Sequence, residues 1–104
     1  MQDRLYNALG LCMKAGKVQS GAFACEKAIR SGKAKLVLLE DTASDSAKEQ
    51  YRSLCDYYHT PFYVVDTVGE AIGKPGRIVM AVTDEAFQKM MEGLIAQEST
   101  CGGI

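Results

Sequence analysis

Apolar residues recur at helical spacing near the start of the chain: Leu5, Leu9 and Cys12, with Ala8 and Met13 beside them. This stripe predicts a helix over residues 3–15, ended by Gly16. Lys17, Val18 and Gln19 read as a short extended connector or strand. A second helix follows. Ser20 is placed to cap it, since a serine hydroxyl accepts a bond from an orphan backbone N–H. Gly32 comes after its last apolar turn and suits the left-handed cap position. Leu36, Val37, Leu38 and Leu39 then form an unbroken apolar run, as expected of a strand covered on both faces.

The second half repeats this alternation. Ser44 is placed to cap a third helix with Asp45 in its first turn, and Ala47, Tyr51, Leu54, Cys55 and Tyr58 share one face. His59, Thr60 and Pro61 make a turn, and residues 62–65 read as a strand by their aromatic and β-branched content. Residues 67–70 have capping-box spacing and predict a short helix that closes at Gly73. Lys74, Pro75, Gly76 and Arg77 suit a type II turn. Residues 78–82 are a third apolar strand. Thr83 or Asp84 caps a last helix with the stripe Phe87, Met90, Met91, Leu94 and Ile95. Beyond Gln97 there is no periodicity.

Strands alternating with helices give an α/β class with helices on both faces of a small sheet. At 104 residues the chain makes one domain, expected over residues 1–97, with a flexible tail over 98–104. No apolar run approaches a membrane span, and the N-terminus starts a helix with charges inside it rather than a signal peptide. Cys12, Cys25, Cys55 and Cys101 form no Cys-x-x-Cys pair, so no metal site is expected. Three of them fall on apolar helix faces, which with the missing signal peptide points to a reducing, cytoplasmic compartment.

Charge changes the picture. The net charge is −1, but residues 1–36 carry seven basic side chains against two acidic ones, and residues 37–104 five against eleven. A dipolar chain of this kind can hold one anion-seeking patch while remaining acidic overall. Lys27, Arg30, Lys33 and Lys35 on and after the second helix face only Glu26. That pattern fits either a solvated amphipathic face or an anion-binding surface. Gly21 at the helix start lets a ligand approach the free N–H groups, where the helix dipole favours an anion such as a phosphate backbone.

Catalytic chemistry finds little to work with. His59 is the only histidine and stands in a turn. Gly10 to Lys17 misses the spacing and the hydroxyl of a phosphate-cradling loop. The pair Glu40 and Asp41 ends a central strand, where ligands tend to bind in open α/β sheets, although a solvated loop is the commoner reading of such residues. Cys101, Gly102, Gly103 and Ile104 lack the aliphatic pair of a prenylation box. No catalytic residue, cofactor, small-molecule substrate or membrane partner is expected.

The ordered blocks carry a resemblance. Ser20 and Gly21 are followed by Lys27-Ala28-Ile29 and by Gly32-Lys33-Ala34-Lys35-Leu36-Val37-Leu38-Leu39. Then come Glu40-Asp41-Thr42-Ala43-Ser44, Val68-Gly69-Glu70-Ala71-Ile72-Gly73 and Val79-Met80-Ala81-Val82. Over residues 4–96 this order resembles the kink-turn RNA-binding superfamily of ribosomal proteins, the L-seven-Ae and L-thirty-e type, above all its small bacterial members. The resemblance implies a three-layer α/β/α sandwich around a mixed sheet of about four strands, and a cytoplasmic, non-enzymatic protein that grips bent RNA without a cofactor.

It also implies roles for residues. Gly21 matches the glycine where the second helix meets RNA, and Lys27 a phosphate-contacting lysine. Glu40 and Asp41 match an acidic loop. Residues 73–79 match a second RNA-facing loop, in which Lys74 and Arg77 reach phosphate and an apolar residue such as Ile78 packs on an extruded base. Ser20, Arg30 and Lys33 complete the expected RNA surface. Many members have Asn-Glu where this chain has Phe23-Ala24, which lack polar atoms for base edges. Phe23 then either stacks on a base or enters the core. Structured RNA, kink-turn or ribosomal, is the expected partner, with a protein partner in translation besides. The alternative is a protein-interaction module on the same fold that uses an exposed Phe23 as its anchor.

Overall fold

A computed structural model describes residues 3–66 and 68–103. Helix α1 (Asp3–Lys14) is followed by β1 (Val18–Ser20), α2 (Ala22–Arg30), β2 (Leu36–Glu40), α3 (Asp45–Tyr57), β3 (Phe62–Val65), β4 (Val79–Val82) and α4 (Glu85–Gly103). The four strands form one mixed sheet in the order β1-β4-β2-β3. β4 runs antiparallel to both β1 and β2, and β2 pairs in parallel with β3. The parallel register sets Leu38 beside Tyr63, and the antiparallel one sets Leu38 beside Met80.

The strand pleat sorts the apolar run of β2 to two sides. Leu36 and Leu38, with Met80 and Val82, join α1, α4 and residues 68–72 in one core around Leu5, Leu9 and Met91. Val37 and Leu39, with Val79 and Ala81, join α2 and α3 in the other, around Ile29, Tyr51 and Cys55. The sheet is thus covered by helices on both faces, as the three-layer sandwich requires. Cys12, Cys25 and Cys55 are free thiols buried in these layers. Burial pushes the Cys12 and Cys55 thiols up to about 11 and Cys25 up to about 12.

Several local expectations hold. Ser44 caps α3 by accepting from the Ala47 N–H at 3.1 Å, and Asp84 caps α4 by accepting from Phe87 N–H at 3.0 Å. Gly32 takes φ 77° after α2, and the Lys33 N–H reaches back to the Ala28 carbonyl. Gly76 takes φ 93° in the turn closed by Arg77 N–H on the Lys74 carbonyl.

Others are corrected. Ser20 does not cap α2: it ends β1, and the cap residue is Gly21, with no side-chain bond. Residues 68–73 form successive turns rather than a helix, and Thr67, the first residue of the expected capping box, lies outside the described residues. The Val68 N–H is held instead by Glu40, from another part of the chain. Ile78 precedes β4, although its carbonyl accepts from Glu40 N–H at 2.7 Å. Met90 is turned partly to solvent, at 40% exposure. Helix α4 continues to Gly103 where a loose tail is expected from Gln97. Ala96, Gln97 and Glu98 are good helix formers, and extending an existing helix needs no new nucleus.

Candidate nucleic-acid interface

The β1–α2 junction is built for close approach. Gly21 has φ 89° and ψ 156°, a combination open essentially to glycine. Its N–H donates to the Val79 carbonyl at 3.1 Å, and its carbonyl accepts from Cys25 N–H at 3.0 Å. The helix therefore starts against the first residue of β4. The turn before β4 folds over this start. Arg77 Nη1 donates to the Ser20 carbonyl at 3.1 Å, and a Cβ added to Gly21 would lie 2.5 Å from the same nitrogen. A guanidinium thus rests across the glycine, in van der Waals reach only because no side chain stands there.

This contact joins two stretches more than fifty residues apart in sequence. Gly21, Arg77 and Ile78 line one cleft, to which α3 adds Gln50 and Tyr51. Arg77 and Ile78 also line the next hollow, shared with Glu40, Gly69 and Glu70. A third, on another flank of α2, holds Phe23, Lys27 and Lys33. Phe23 is 82% exposed, which removes the core reading of this side chain.

The remaining expected residues are dispersed. Arg30 lines a separate groove between α2 and α3 with Glu26, Tyr57 and Tyr58, away from Lys27 and Lys33. Around the helix Arg30 lies about 60° from Lys27 and about 40° from Glu26, with which it shares the groove. Lys74 and Asp41 are exposed and line none of these hollows. Asp41 N–H extends the parallel ladder to the Val65 carbonyl at 2.7 Å.

Glu40 has a structural task. Its carboxylate accepts from Thr42 Oγ1 at 2.6 Å and from the Val68 N–H at 2.9 Å. The Thr42 hydroxyl, then the Val68 N–H, hold its carboxyl below the usual range; burial opposes them, and the Gly69 backbone adds a lesser pull downward. The carboxylate anchors the turns that carry residues 74–78.

Two positioning residues escape a reading of the sequence. Gly69 is buried, and a Cβ there would meet the Lys74 and Arg77 carbonyls at 2.7 Å, so the turn bearing Arg77 packs directly on it. Sequence offered only its place inside a capping-box pattern and in one of the blocks of the family resemblance. Gln50 donates to Glu26 Oε1 at 3.1 Å and forms the far wall of the Gly21 cleft. As one polar residue on a polar helix face it gives no signal. Among the described residues, no three His, Cys, Asp or Glu side chains are grouped to hold a metal ion, and no helix is long and apolar enough to cross a membrane.

A solved structure of a protein of unknown function from Bacillus halodurans C superposes with a TM-score of 0.87 at 31% identity, covering 91% of this chain and 99% of that one. The Giardia lamblia 15.5kD RNA binding protein shares the fold, with a TM-score of 0.74 at 17% identity over 93% of this chain and 89% of its own. RNA-binding protein YlxQ of Bacillus subtilis (strain 168) is 40% identical over 90 residues, 84% of this chain and 90% of that protein. The model of the Ribosomal protein L7Ae/L30e/S12e/Gadd45 family matches residues 3–92, and the chain belongs to that family.

Proposed function

We propose that this protein is a non-enzymatic, ribosomal-type RNA-binding protein, and that the surface around the start of α2 and the turn before β4 grips structured RNA. The observation that carries the reading is the Arg77–Ser20 contact across Gly21, which sets the start of α2 beside the sequence-distant turn before β4. Lys27, Lys33, Lys74 and Arg77 supply cations for phosphates, and Ile78, 38% exposed, supplies an apolar contact beside Arg77. A family that includes an RNA-binding relative 40% identical to this chain supports the same reading. Kink-turn or ribosomal RNA met in the cytoplasm is the partner that fits it. The protein-interaction alternative draws on the near-neutral charge and on the exposure of Phe23.

Recognition here leans on shape and backbone. Phosphate contacts position RNA, whereas polar contacts to base edges specify it. Phe23 and Ala24 bring no polar side-chain atom to the helix start. A good base contact contributes about 1–3 kcal/mol of discrimination, so its absence leaves only a modest preference.

The test is a filter-binding titration of the purified chain at low and near-physiological salt. It compares a kink-turn RNA, the same RNA with its sheared G·A pairs replaced by Watson–Crick pairs, and an unrelated hairpin. The expected result is salt-sensitive binding with the intact kink-turn favoured by no more than about tenfold. Failure to bind any of the three at low salt overturns the proposal.

A further inference from the structure

Phe23 has the largest exposure, 82%, of the exposed large hydrophobic side chains among the described residues. Phe23, Lys27 and Ser31 stand four residues apart, which on a helix is about 6 Å along the axis and about 40° around it per step. They form one edge of a groove that runs down α2, with Gln19 and Thr83 on its other side and Lys33 at its far end. None of the lining residues is acidic, and no ion pair among the described residues engages Lys27 or Lys33. The groove therefore presents an uncovered aromatic ring and then two uncommitted cations.

We infer that this groove receives an unpaired stretch of RNA, with one base stacked on the Phe23 ring and neighbouring phosphates on Lys27 and Lys33. The inference rests on the RNA-binding reading above and names the part of the RNA that this flank takes. A phenylalanine ring offers only its face and edge, with no hydrogen-bonding group. Inside a duplex both faces of a base are covered by its neighbours, so a ring of this kind meets a base face only where the strand is unstacked. A groove for an amphipathic partner helix would need several apolar anchors. Here Ala24 and Ala28 are the only other apolar residues in the lining.

Tyr57 makes the comparison. It is 77% exposed, but its ring meets Tyr58 at 4.9 Å in an edge-on contact, and Glu26 shares its groove. An exposed ring with a committed neighbour and an acid beside it is poorly suited to a base and its phosphate.

The experiment uses two RNA hairpins, one blunt and one with a single-stranded extension carrying 2-aminopurine, whose fluorescence falls on stacking. The wild-type chain is expected to bind the extended hairpin more tightly and to quench the probe. Phe23→Ala should abolish the quench and weaken binding of the extended hairpin by about tenfold or more, with the blunt hairpin unaffected. Phe23→Tyr should retain both effects, and Tyr57→Ala should change neither. Urea midpoints matching wild type would exclude misfolding as the cause. Persistent quenching in Phe23→Ala, or equal weakening of both hairpins, overturns the inference. So does indifference of the wild type to the extension, which would assign the ring to a protein contact. Absence of binding to either hairpin at low salt defeats the RNA reading itself.

Discussion

At Gly21 the backbone torsions alone decide what residue can stand there. A side chain at φ 89° and ψ 156° is strained whatever the space around it. Arg77 adds a second cost, but its guanidinium is the far end of a flexible chain and can swing aside. Gly21→Ala is therefore expected to lower stability by about 1–3 kcal/mol, read as a shifted urea midpoint at constant slope. Adding Arg77→Ala to the same chain should restore little of that loss, because the torsion remains. Full recovery in the double variant would mean that crowding, not torsion, dominates. The special place of Gly21 was legible from its position at a helix start. The exposure of Phe23 was also within reach, since it lies about 200° around the helix from the buried Cys25. The guanidinium over Gly21 was not, because nothing local links residue 77 to residue 20.

Elements were legible where one period persists. The stripe through Leu5, Leu9 and Cys12, the run from Leu36 to Leu39 and the face through Tyr51 and Cys55 each announce an element, and all are buried as that reading requires. Residues 67–70 misled because a capping box is a local pattern, whereas the Val68 N–H finds its acceptor on Glu40 at the end of β2. With a carboxylate from another element holding them, residues 68–73 stay as turns that bury Val68, Ala71 and Ile72 in the core with Leu5, Leu9 and Met91. The same brace makes a pH prediction. A free glutamate titrates near 4.5, and in the folded chain the Thr42 hydroxyl and Val68 N–H hold Glu40 lower. Its stabilisation is thus complete above that value and is lost as pH falls through the lower folded one. Glu40→Gln should be less stable than wild type at neutral pH, with the gap narrowing under acid conditions. Urea midpoints measured across an acid series would check this, and a gap that stayed constant would mean the bonds act without regard to charge.

The whole molecule is nearly neutral, yet its charge is unevenly placed. The basic first third of the chain supplies α1, β1 and α2, while most of the acids lie in the remainder. Bulk attraction to a polyanion is therefore weak, and binding depends on the cations that meet phosphates directly. The salt dependence of affinity counts those contacts rather than the net charge, at roughly 0.7–0.9 per neutralised phosphate in the logarithmic slope. If Lys27, Lys33, Lys74 and Arg77 each meet one phosphate, the slope for structured RNA should be about −3 to −4. Lys27→Ala should flatten it by about 1 and weaken every RNA that the chain binds. Lys89 is the natural control. It lies on α4 and pairs with Glu85 at 3.4 Å, one turn away on the same helix. Lys89→Ala should leave both affinity and slope unchanged. A wild-type slope near zero would place the affinity in non-ionic contacts, and equal effects of Lys27→Ala and Lys89→Ala would mean that a diffuse field, rather than the face of α2, holds the RNA.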